Sequence, residues 1–168
     1  MEIGQLSKLI VAKENPSSVV HATRTAVAAA LSYFVARLFH LPDAYWSAIS
    51  TLIVMQSTLG AALPISVQRF AGTAIGAVVG AATATYFGEN VWAFGVAVFL
   101  VGVLCAVLRV ERGAYRYASI TLAIVMLVTR SRGVWLIALH RFFEVSLGIA
   151  VGLLLSALWP ERPSTAAD

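Results

Sequence analysis

The stretch Gln56–Thr73, QSTLGAALPISVQRFAGT, decides how the chain folds. It separates two apolar runs, carries Gly60 and Pro64, and sets Arg69 just inside the second run. Glycine and proline both weaken a helix, so the flanking runs read as separate helices joined at a break. Such a break frees backbone N–H groups and starts a new helix whose positive end points towards it. With Ser57, Thr58 and Arg69 close by in sequence, the place suits a carboxylate. The same residues also fit an ordinary turn between two helices.

Working outward, the whole chain of 168 residues is 60% hydrophobic and 12% charged, with a mean hydropathy of +0.85. Soluble domains have about half apolar and a quarter charged residues, so this composition is that of an integral membrane protein. The length suffices for about six helices of ~20 residues each. Charges and breakers divide the chain into six apolar runs at 18–39, 45–59, 63–87, 91–108, 115–129 and 134–159. The expected fold is all-α: one module of six transmembrane helices at 17–160, between a polar segment at 1–16 and a tail at 161–168. The first run lacks a short cleavable core followed by a small-residue cleavage site, so it reads as a retained span. Runs two and five are near the lower limit for crossing ~30 Å of hydrocarbon and are the expected irregular elements. The one cysteine, Cys105, has no internal disulfide partner, and no Cys/His spacing suggests a metal or a cofactor.

Basic residues orient the module. Lys8, Lys13, Arg24, Arg109, Arg112, Arg116 and Arg162 collect on the side of the N-terminus, against Arg37, Arg130 and Arg132 on the other. Both termini are therefore expected in the cytoplasm, the positive side. Trp46, Trp92 and Trp135 mark outer span ends and Trp159 an inner one, in the manner of interfacial belts.

The two halves are alike. Thr-Leu-Ile-Val-Met at 51–55 returns as Thr-Leu-Ala-Ile-Val-Met at 121–126. Arg69-Phe70 with Gly76 and Gly80 returns as Arg141-Phe142 with Gly148 and Gly152. Each copy holds three spans, an odd number, so a direct sequence repeat inserts with opposite topologies and gives two inverted three-helix repeats.

Arg69, Gly72, Gly76 and Gly80 fall on one helix stripe, and small residues at this spacing let helix backbones approach closely in lipid. If the third run starts near Leu63, Arg69 lies about 9 Å below the surface at ~1.5 Å per residue. Arg141 occupies the matching depth from the other face. Two placements fit: the side chain reaches back to the headgroups, or it follows the glycines into the bundle, where a charge needs a partner or water. Glu144 is the one acid well within a span, three residues from Arg141 on the same face, so Arg141 reads as paired and Arg69 as uncompensated. Fixed positive charge inside a bundle favours an anion over a metal cation. His140, four residues before Glu144, fits either a proton relay with it or a structural histidine.

No phosphate loop, nucleophile elbow or pair of catalytic acids is present, which argues against an enzyme. The basic residues do not cluster, which argues against nucleic-acid binding.

Tyr45–Ala62, YWSAISTLIVMQSTLGAA, followed by Gln68–Thr73, QRFAGT, resembles the signature of the fusaric acid resistance and aromatic acid exporter superfamily. His140–Gly152, HRFFEVSLGIAVG, ending in Trp159-Pro160, is similar to the closing helix of that module, and the likeness covers about 20–160. It implies an inner-membrane exporter of aromatic or other organic acids. The plant aluminium-activated malate channels are similar around the same tryptophan, glycine and arginine pattern, with positive residues of the third and sixth helices lining an anion path. Carried over, Arg69 and Arg141 line the path, with Gln56 and Trp46 from the second helix. Members of the superfamily commonly carry two modules and a soluble domain. One module alone is therefore expected to self-associate, most simply as a dimer, with a trimer as the alternative.

The expected function is a homo-oligomeric transporter or channel for organic anions, its partners being the lipid bilayer and a small organic anion. The competing reading is a membrane scaffold or accessory subunit that transports nothing, in which the glycine stripes mediate assembly.

Overall fold

The computed structural model describes residues 19–56, 58–128 and 133–160; Ser57, the segments 1–16 and 161–168, and the basic residues Arg130 and Arg132 lie outside the described residues. Six helices follow one another among the described residues: α1 (Val19–Leu38), α2 (Tyr45–Val54), α3 (Leu59–Phe87), α4 (Val91–Val107), α5 (Arg112–Leu127) and α6 (Val134–Leu158). Three of them, α1, α3 and α6, are long and apolar enough to cross a membrane. α2 has only 10 residues, about 15 Å of helix and half of a hydrocarbon core.

The buried and exposed faces are chemically reversed relative to a water-soluble bundle. Phe34 and Leu38 of α1, Phe99 and Leu100 of α4 and Leu154 and Leu158 of α6 are exposed. The inward stripe of α1 is Arg24, Ala28, Ser32 and Ala36, four residues apart, and that of α4 is Ala97, Val101 and Cys105. Between two helices in lipid, hydrophobicity offers no drive to associate, so close backbone approach and interhelical hydrogen bonds hold the contact. Ser32 and Ser47 join α1 to α2 through their hydroxyls at 2.6 Å. Thr51 donates to the carbonyl of Gly148 at 2.9 Å, joining α2 to α6.

The glycine stripes bring helix backbones into close contact. A methyl group on Gly72 or Gly76 would overlap the carbonyl oxygens of Ala114 and Ala118 on α5, and one on Gly148 the carbonyl of Ser47 on α2. Each long helix thus lies against the short helix of the other half, α3 on α5 and α6 on α2, and α3 and α6 cross each other. Phe70 and Phe142 meet at that crossing with ring centroids 5.1 Å apart. Gly72 and Gly76 are filled by α5 of the same chain, so these two glycines are closed to a second copy.

α1 and α4 end alike. Leu41 N–H bonds to the Ala36 carbonyl and His40 N–H to that of Arg37; Val110 and Arg109 repeat this on Cys105 and Ala106. These are Schellman endings, and the left-handed position is held by His40 (φ 54°) and Arg109 (φ 52°) instead of glycine.

The break before α3 falls earlier than the sequence suggests. Met55 and Thr58 are extended, and α3 begins at Leu59 with the Thr58 hydroxyl accepting from Ala61 N–H at 3.3 Å. Gly60 and Pro64 therefore lie within the first two turns of α3. Pro64, in the second turn, cannot donate to the Gly60 carbonyl, so the helix loses one hydrogen bond near its start. Arg69 is consequently about 15 Å along the axis from Leu59, so the helix start at Thr58 and the guanidinium do not form one carboxylate site.

Candidate functional site

Arg69 and Arg141 line one cleft between α2, α3, α5 and α6, together with Trp46, Thr73, Tyr117 and Thr121. Arg69 is 6% exposed and Arg141 2%. Neither guanidinium turns outward, because each shares a face with glycines that seat the helix against its neighbour.

The two arginines are held in parallel ways. The Arg69 guanidinium lies 5.0 Å from the ring centre of Tyr117 on α5, and that of Arg141 lies 4.1 Å from the ring centre of Trp46 on α2. A cation over an aromatic face recovers part of the solvation lost on burial. Their polar partners differ. Arg141 stands 3.4 Å from Glu144, which is fully buried, and 3.9 Å from Asp43 in the α1–α2 connection. Glu144 also accepts the backbone N–H of Asp43 at 2.8 Å, so the acid ties that connection to α6. Arg69 donates to the Ser50 hydroxyl at 3.0 Å, and Ser50 passes a hydrogen bond to the Trp46 carbonyl at 2.8 Å. Among the described residues Arg69 has no ion pair, and its Nε–H and the indole N–H of Trp46 are buried without a hydrogen-bond partner. The Nε–H of Arg141, on the same cleft, is likewise buried without a hydrogen bond. Three such donors on the wall of one cleft are chemistry for an acceptor, since a buried donor left unsatisfied costs about 1–3 kcal/mol. The cleft has a volume of about 10 Å3, near the space of one water.

Other sequence candidates fall elsewhere. Gln56 lies beyond the end of α2, where its carbonyl accepts from Arg24. Thr58 caps α3. His140 is half-buried, one turn before Glu144 on α6. Trp46, counted with the interfacial tryptophans, is turned inward onto Arg141, whereas Trp92 is 86% exposed.

Sequence reasoning missed Tyr117, Ser50, Asp43 and Arg24. Tyr117 was within reach of the repeat: Tyr45-Trp46 precedes the first Thr-Leu motif much as Tyr115-Arg116-Tyr117 precedes the second. Arg24 was counted as a charge at the inner surface, but it is fully buried in α1. It donates to the Trp159 carbonyl at 2.7 Å and to that of Gln56. Both carbonyls are at helix C-terminal ends, where orphan acceptors and the negative end of the helix dipole attract a cation.

Residues 29–155 match the family described as fusaric acid resistance protein-like. Among curated proteins, the inner membrane protein YeeA of Escherichia coli (strain K12) is 28% identical over 86% of this chain and 42% of its own length. A putative arylamide transporter of Mycobacterium tuberculosis (strain ATCC 25618 / H37Rv) is 30% identical over 84% of this chain and 41% of its own. The uncharacterized transporter YdhK of Escherichia coli (strain K12) is 26% identical over 88% of this chain and 23% of its own. The chain thus spans less than half the length of these relatives. No solved structure matches it significantly.

Proposed function

The chain belongs to the fusaric acid resistance protein-like family, and from that premise we propose that it is a multi-pass inner-membrane transporter or channel for organic anions, aromatic carboxylates among them. The observation that carries this reading is Arg69: buried in the bundle, without an acid among the described residues, and keeping an unsatisfied N–H beside that of Trp46. A carboxylate satisfies both donors and meets the charge; the faces of Tyr117 and Trp46 suit a flat ring. At about 10 Å3 the cleft is too small for such a guest, so passage requires the helices to part, as alternating access does.

The module is two inverted three-helix repeats with both termini in the cytoplasm. Supporting the repeat are the exchanged pairings of α3 with α5 and α6 with α2, the two Schellman endings, and the contact of Phe70 with Phe142. Residues that an internal two-fold axis interchanges touch each other only on that axis. Glu144 with His140 is the proposed proton-coupling pair, and a homodimer the proposed assembly.

Liposomes containing the protein are expected to take up benzoate in an Arg69-dependent way. Arg69→Gln keeps hydrogen-bonding capacity but removes the charge, and should lower flux at least about tenfold. Flux equal to that of the unchanged protein would sink the site.

A further inference from the structure

The two arginines of the cleft differ in how far their charge is already met. Arg141 faces two carboxylates, Glu144 at 3.4 Å and Asp43 at 3.9 Å. Arg69 faces a hydroxyl and an aromatic ring. Glu144 sits where the first half has Gly72, so the difference is built into the sequence at one position of the repeat. With glycine there, α3 is drawn against the backbone of α5. With glutamate there, α6 carries its own counter-charge and anchors Asp43.

We propose that Glu144 sets the charge number of the anion that the cleft admits. By occupying Arg141 it leaves Arg69 to bind a single carboxylate, and it repels a second. The proposal rests on the anion-transport reading above and deepens it: the substrate class becomes the monocarboxylates. A dicarboxylate that placed one end on Arg69 would bring its other end towards a guanidinium already engaged and a fully buried carboxylate beside it. Arg141, whose charge Glu144 and Asp43 already offset, gives that second carboxylate less attraction than Arg69 gives the first, and a difference of about 1.4 kcal/mol is tenfold discrimination. Glu144 is in this sense a positioning and selecting residue, acting through Arg141 on the charge of the cleft.

The test is a ratio, so that protein yield and folded fraction cancel. Liposomes containing the full chain are offered benzoate and phthalate, and the phthalate-to-benzoate flux ratio is measured for the unchanged protein, Glu144→Gln and Glu144→Asp. The expected result is a low ratio in the unchanged protein, a rise of about tenfold in Glu144→Gln, and no rise in Glu144→Asp, which keeps the charge. An unchanged ratio in Glu144→Gln, with benzoate flux still dependent on Arg69, overturns the proposal and leaves the transport reading standing. If the unchanged protein carries neither anion, the transport reading fails and this proposal with it. Should Glu144→Gln carry neither, Trp46 emission decides, read with the other three of the 4 tryptophans changed to Phe. Tighter quenching by phthalate than in the unchanged protein supports the proposal, and equal or weaker quenching overturns it.

Discussion

Arg24, Arg69 and Arg141 each stand about two turns inside an apolar run, a position from which an arginine side chain can reach either the headgroups or the bundle. All three turn inward, each to different partners: helix-end carbonyls, a hydroxyl with a tyrosine face, and two acids with a tryptophan face. Arg24 is the structural member of the set. Replacing it by Leu strands the carbonyls of Gln56 and Trp159 and should lower stability by about 3 kcal/mol, seen as a fall in thermal midpoint in detergent. Arg24→Lys, which keeps the charge at the helix ends but has no planar fork to bridge two acceptors, should recover part of the loss. Equal losses for Lys and Leu would show that the charge at the two helix ends contributes nothing. The sequence placed Arg69 and Arg141 by their shared glycine stripes. Arg24 heads a stripe of the same spacing, Ala28, Ser32 and Ala36, but that stripe holds no glycine, so the signal in the sequence is weaker.

Among the elements, α3 shows how one residue type is used in opposite ways. Gly76 lies against the backbone of Ala118, whereas nothing stands within 4 Å of where a methyl on Gly60 would be. Gly76→Leu must push α3 off α5, and is expected to cost about 3 kcal/mol or more and to abolish Arg69-dependent transport. Gly60→Ala should raise stability by roughly 0.5–1 kcal/mol through helix propensity. Thermal unfolding of the two variants checks both signs. The glycine spacing was legible in advance because period and packing coincide. The helix break was misplaced by several residues for the reason that propensity marks Gly60 and Pro64 as weak points, while the chain reverses where Thr58 offers a cap. α2 was expected to be short, and its 10 residues are fewer than its apolar run, because that run continues into the extended segment before α3.

For the molecule as a whole, two tethers stand at corresponding places. The α1–α2 connection is tied to α6 through Asp43, Arg141 and Glu144. The α4–α5 connection is tied to α3 through a hydrogen bond from Gln68 to Glu111. If the halves rock about the cleft, the tethers close its opposite ends. With Cys105 changed to Ala and Thr73 to Cys on the cleft wall, labelling by an impermeant maleimide should rise from one face of the membrane in Glu111→Ala. It should rise from the other face in Asp43→Ala. A rise from the same face in both would contradict an inverted arrangement. Neither tether was visible in the sequence, where Asp43 and Glu111 read as loop acids.

The sequence by itself determined that this chain is a bundle of apolar helices, where most of them begin and end, which glycines lie on the packing faces, and that two arginines stand at matching positions of the two halves. Those properties follow from composition and short-range period, which a linear reading contains. Only the tertiary structure decided which charges are met and which are left over. Ser50 reaches Arg69, Asp43 reaches Arg141 and Trp159 reaches Arg24 from other helices or connections. In lipid, which solvates no charge, the identity of those distant partners decides whether a buried cation braces the fold or stands ready for an anion.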